Sequence, residues 1–182
     1  PSRLGLGGYD DFHAIPDALL DIAIERGVDA EGPVHFDVLA DRLLDAAGVG
    51  RLGSRIRARI EERLEALSAT PSLQWRSDRV ARPEQILKPP YRDWRGAPEK
   101  TRQLEYVSDA ELMLALFRVV LDGDADDRET AMNAGIHAIG FTRLTDNARE
   151  RLQAPMEALF AKAWLVEQGG RLHAGAVEPT HG

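Results

Sequence analysis

The chain has 182 residues, no cysteine and a formal charge of −7. The missing cysteines exclude disulfides, thiolate zinc sites and cysteine nucleophiles, and no apolar run approaches the ~18 residues of a membrane span. Charge is segregated: residues 1–50 hold 3 basic and 10 acidic side chains, 51–102 hold 13 and 7, and 103–182 hold 7 and 13, so a polyanion can meet a basic surface despite the acidic total.

In chain order, residues 1–15 open with a Gly-rich stretch, PSRLGLGGY, and predict a flexible N-terminal segment. Helix signals follow over 16–28, where Pro16 suits a helix start and Leu19, Leu20, Ala23 and Ile24 form an apolar face. Gly32-Pro33 predicts a turn and Val34 to Phe36 a short strand. Asp37 is placed to cap a helix over 37–47, which Gly48 ends as a C′ glycine does. Ser54 is placed to cap a third helix over 54–69, with Ile56, Ile60, Leu64 and Leu67 in one stripe and Arg55, Arg57, Arg59 and Arg63 off it. Pro71 stops that helix, and Leu73 to Val80 reads as a hairpin turning at Ser77-Asp78. Residues 83–107, with four prolines and many charges, predict a linker.

Residues 108–174 then repeat 16–82 at a constant offset of 92 without a gap. Identical pairs include Asp17/Asp109, Leu20/Leu112, Gly48/Gly140, Arg51/Arg143, Arg57/Arg149, Arg59/Arg151 and Arg79/Arg171. We read this as a duplication. In the second copy Asp124-Ala125-Asp126 replaces Gly32-Pro33-Val34, so its short strand is expected to be lost. Pro155 replaces Arg63, so its third helix is expected to kink or split. The fold class predicted is mainly α with small β-hairpins, an α+β arrangement of two tandem winged helix-turn-helix-like modules at 16–82 and 108–174, followed by a tail, 175–182.

The stretch GPVHFDVLADRLLDAAGVGRLGSRIRARIEERLEAL, with Gly32-Pro33, Gly48, Arg51, Gly53 and Ser54-Arg55-Ile56-Arg57, resembles a C-terminal domain of unknown function. That domain closes large bacterial superfamily 1 helicase-like proteins, after a helicase core and a small endonuclease-like domain. The resemblance is best over 32–67. It implies a helicase-associated accessory region in foreign-DNA defence or repair, with the upstream helicase and nuclease parts as partners. No phosphate-cradling GxxxxGK[ST] loop is present, so ATPase activity would belong to an N-terminal part outside this chain. The first residue, Pro1, fits such a fragment.

The candidate site is a nucleic-acid backbone contact made by Arg51, Arg55, Arg57, Arg59 and Arg63 with Arg76, Arg79 and Arg82 of the hairpin. Guanidinium groups suit phosphate geometry. The competing reading is a solvated helix laced by its own ion pairs, Arg57 with Glu61 among them. For Arg51 the preferred reading is a bond to helix-end carbonyls. Trp75 is expected to pack under the hairpin and Trp164 in the core; Tyr91 and Trp94 are the aromatics more open to exposure, with docking of the linker onto a module as their default reading. His13, His35, His137, His173 and His181 have no zinc-ligand spacing, and the acidic run Asp122 to Glu129 lacks the glycine and terminal glutamate of a calcium loop. No catalytic arrangement, cofactor or metal is expected, and the location expected is cytoplasmic, since no signal-peptide pattern opens the chain. The rival function is a protein-interaction module that docks onto the helicase or endonuclease part or mediates oligomerisation, without touching nucleic acid.

Overall fold

A computed structural model describes residues 4–88 and 90–176. The expectations for residues 1–3 and for 177–182, which hold most of the tail and His181, lie outside the described residues. The chain divides into two compact units between Leu87 and Lys88.

The first unit runs α1 (Asp17–Glu31), β1 (Val34–His35), α2 (Phe36–Ala47), α3 (Ser54–Ser68), β2 (Gln74–Arg76), β3 (Arg79–Ala81) and α4 (Pro83–Leu87). Its sheet is antiparallel in the order β1-β3-β2, and Val80 pairs with both Val34 and Trp75. Helical spacing turns Leu20 and Ile24 of α1, Leu39 and Leu43 of α2, and Ile60 and Leu64 of α3 into a fully buried centre. Leu19, predicted to face inward, lies at the surface instead. α2 starts one residue early because His35, not Asp37, caps it: His35 Nδ1 accepts from the Asp37 amide at 3.1 Å. Gly48 ends α2 at φ 72°, and the Val49 amide reaches back to the Leu44 carbonyl.

Residues 4–15 correct the expectation of a flexible segment. Leu4, Leu6, Phe12 and Ile15 are buried, because their irregularly spaced apolar side chains cover the same core.

The second unit contains α5 (Asp109–Leu121), α6 (Arg128–Ala138), α7 (Asp146–Ala161), β4 (Leu165–Gln168) and β5 (Arg171–Ala174). Its core gathers Leu112 and Leu116 of α5, Ile136 of α6, and Leu152, Met156 and Leu159 of α7. Among the described residues no strand matches β1. One backbone bond, from the Leu172 amide to the Asp126 carbonyl at 2.8 Å, takes its place. The β4–β5 turn uses Gly169 and Gly170 at φ 60° and 77°, the two left-handed positions a tight hairpin turn needs. α7 passes through Pro155 as one helix, so of the expected kink or split it does not split. Pro155 is buried in the helix, and packing offsets the missing amide bond.

The segment predicted as a linker is divided. Residues 83–87 form α4, and 90–107 belong to the second unit as a chain of short 3-10 turns at Trp94–Gly96, Glu99–Thr101 and Leu104–Tyr106. Trp94 is in the core cluster, as its default reading of docking onto a module expects, and its indole nitrogen finds a buried partner.

Candidate nucleic-acid interface

α3 carries the arginines, and the described structure sorts them into two groups. Its N-terminus has Gly53 at the cap position and no side-chain cap, so Ser54 begins the helix rather than capping it.

In the first group the charge is spent inside the unit. Arg59 crosses to the segment before α1, where its Nη1 donates to the Phe12 carbonyl at 2.6 Å and its Nη2 donates to the Ile15 carbonyl and to Asp17 at 2.8 Å. Arg63 holds Asp21 through two bonds of 2.8 and 2.7 Å. Arg57 reaches Asp37 at 2.6 Å and Glu61 at 3.6 Å, and its guanidinium lies 4.6 Å from the centre of the Phe36 ring. Phe36 in turn stacks on Trp75 at 6.2 Å, and the Trp75 indole nitrogen is buried with no hydrogen-bond partner among the described residues. Arg82 bonds Asp29 at 2.7 Å and the Ser72 carbonyl at 3.1 Å. Arg79 lies 3.9 Å from Asp78. A guanidinium clasped by a carboxylate adds little to the field a phosphate feels. Of the predicted backbone contacts, Arg57, Arg59, Arg63 and Arg82 therefore follow the competing ion-pair reading, with partners far off in the sequence, on α1 and the start of α2.

The titration behaviour follows. The hydrogen bond from Arg59 holds the Asp17 carboxyl below its ordinary value, and Asp21 and Asp29 raise Arg63 and Arg82.

The second group is Arg51, Arg55 and Arg76. All three are exposed and have no hydrogen bond or ion pair to any described residue. The carbonyl bond expected for Arg51 is absent. Arg51 and Arg55 flank the start of α3, where amides of the first turn have no intrahelical partner. Arg76 sits on β2, directly paired with Arg79 of β3. A shallow groove of about 430 Å³ runs from the end of α3 along β2, between Ser68 and Arg76.

Several bonds within the second unit fall 92 residues after bonds of the first. Arg151 donates to the Val107 carbonyl and Asp109, as Arg59 does to the Ile15 carbonyl and Asp17. Arg149 bonds Glu129 at 2.7 Å, as Arg57 bonds Asp37. The acidic run also has local work: Asp127 caps α6 by accepting from the Thr130 amide, and Asp126 lies 3.5 Å from Arg171. Among the described residues no group of three or more His, Asp or Glu is placed to hold a metal. Trp164, expected in the core, packs against the core cluster while half-buried, with Lys162 over its ring.

Sequence reasoning missed one cluster. Glu111 is fully buried and accepts from Arg92 at 2.6 Å and from the Trp94 indole at 3.0 Å. It ties residues 92–94 to α5. The available signal was a lone carboxylate in the apolar run that opens α5, facing an arginine and a tryptophan in the presumed linker.

The described fold defines the class only broadly: a mainly helical chain with small antiparallel sheets. A family model described as a protein of unknown function (DUF3320) matches residues 10–58, from the N-terminal segment to the first turns of α3. No curated protein and no solved structure matches the chain. Among the described residues no helix is long and apolar enough to cross a membrane.

Proposed function

We propose that this chain is an accessory nucleic-acid-binding region of a helicase-like protein, built from two duplicated winged helix-turn-helix-like modules. The first unit touches the phosphate backbone through Arg51 and Arg55 at the start of α3 and Arg76 on the hairpin. One observation carries the reading: these three exposed arginines have no carboxylate partner among the described residues, while Arg57, Arg59, Arg63 and Arg82 do. Backbone contact of this kind is sequence-independent and strongly dependent on salt. No catalytic role, cofactor or metal is part of the proposal.

Fluorescence anisotropy with labelled duplex and single-stranded oligonucleotides at low salt tests it. The expected affinity is micromolar, with log K falling against log salt at about −0.9 per phosphate contact on a duplex. Exchanging Arg51, Arg55 and Arg76 together for Glu weakens binding at least tenfold. Exchanging Arg63 for Gln leaves the salt slope unchanged, because that charge is already used. Absence of binding by the unaltered chain refutes the proposal, as does a triple exchange that leaves the affinity and the salt slope unchanged.

The rival reading, docking onto the helicase or endonuclease part, draws on a different feature. Leu19 and Ile22 lie one turn apart on α1 and are 38% and 42% exposed. Co-purification with the upstream part, lost on exchanging both for Ser while oligonucleotide binding persists, would favour docking.

A further inference from the structure

We propose that the second unit carries its own phosphodiester contact, centred on Arg143; this rests on the nucleic-acid reading above and extends it beyond the first unit.

The argument begins with what the repeated arginines do. At an offset of 92 the identical pairs are Arg26/Arg118, Arg51/Arg143, Arg57/Arg149, Arg59/Arg151 and Arg79/Arg171. Arg57/Arg149 and Arg59/Arg151 make matching internal bonds in the two units. Arg79 and Arg171 each approach an aspartate, at 3.9 and 3.5 Å. Arg118 packs over the Tyr91 ring at 4.6 Å. Arg51/Arg143 is the one pair in which neither member has a partner among the described residues. A cation kept in both copies without internal use is available to a partner outside the chain.

The surroundings of Arg143 fit a strand of phosphates. It lies between α6 and α7 on the wall of a groove of about 610 Å³, with Arg102, Phe141 and Asn147 also lining it. Arg102 and Arg143 supply cationic forks, Asn147 an amide donor, and the half-buried Phe141 a flat apolar wall on which a base can stack. A second groove, of about 520 Å³, opens on the other side of Arg143, toward Asn133. Glu105 and Glu150 share the first groove. The counterpart of Glu150 in the first unit is Ala58, and Asn147 stands where the first unit has Arg55. The second contact is therefore the weaker one.

Titrating the isotope-labelled full chain with a short single-stranded oligonucleotide, and separately with a short duplex, tests the inference by amide chemical shifts. Two groups of shifts are expected, at residues 51–55 and 142–147. Arg143→Gln removes the second group and leaves the first. Because Arg143 is exposed and unpartnered, that variant keeps its fold. Asn147→Arg restores the cationic pair of the first unit, raises affinity severalfold and steepens the salt slope by about one. Shifts confined to 51–55 and the hairpin, or shifts at 142–147 that survive Arg143→Gln, overturn the inference and leave the first-unit reading standing. No shifts anywhere overturn both.

Discussion

Single residues decide how much of the charge is free. Arg59 is held by two carbonyls and a carboxylate, and its counterpart Arg151 by one carbonyl and a carboxylate, so both act as struts between the third helix of their unit and the chain before its first helix. Glu111 is the strongest such case because it is wholly buried. Removing one partner of a buried ion pair leaves the other charge stranded in a poorly polar site. Glu111→Ala is therefore expected to destabilise the second unit by about 3–5 kcal/mol. Glu111→Gln costs less, since its amide oxygen can still accept from the Trp94 indole. Urea denaturation followed by tryptophan emission checks both, and a midpoint unchanged in Glu111→Ala would refute the account.

At the scale of elements, helix ends separate the two units. Gly48 and Gly140 both close a helix at positive φ, 72° and 99°. A Cβ at Gly48 meets nothing within 4 Å, but one at Gly140 lies 2.8 Å from the Arg95 amide nitrogen and from Asp93 Oδ1. Gly48→Ala should cost only the left-handed backbone penalty, about 1–2 kcal/mol. Gly140→Ala should cost clearly more and loosen residues 92–96, read as a larger drop in thermal midpoint and faster amide exchange there. Equal losses in the two variants would contradict this. Helices and hairpins were largely legible, because apolar spacing, Gly48, Pro71 and the turn residues punctuate them. The sequence could not reveal that 90–107 packs into the second unit, since its stabilising bonds follow no period and Arg92 finds Glu111 19 residues away. Nor could it show which arginines are free: Arg59 and Arg63 find their carboxylates 42 residues away. A helical wheel shows only that such side chains leave the apolar stripe.

For the whole molecule, the distributed ion pairs set the response to acid. Asp17, Asp127 and Glu129 titrate below their ordinary values, held chiefly by Arg59, by the Thr130 side chain and by Arg149 respectively. A carboxylate with a lowered folded value takes up its proton more readily when unfolded. Its stabilisation is complete at neutral pH, begins to fade near the ordinary carboxylate range of about 4, and vanishes below the lowered values. The urea midpoint should stay flat from about pH 7 to 5 and fall below about pH 4, with a smaller fall in high salt because these carboxylates are exposed. A midpoint that holds from about pH 5 to 3 at low salt would show that the pairs contribute nothing.

The strap of 3-10 turns also determines where the chain can be cut for separate production of its halves. A boundary at residue 107, the natural choice if 83–107 were a spacer, would strip Arg92 and Trp94 from the second half and leave Glu111 as a naked anion in an apolar interior. The workable incision lies close to Lys88, ahead of Arg92, and the first half needs its opening residues back to at least Leu4 to keep a roof over its interior.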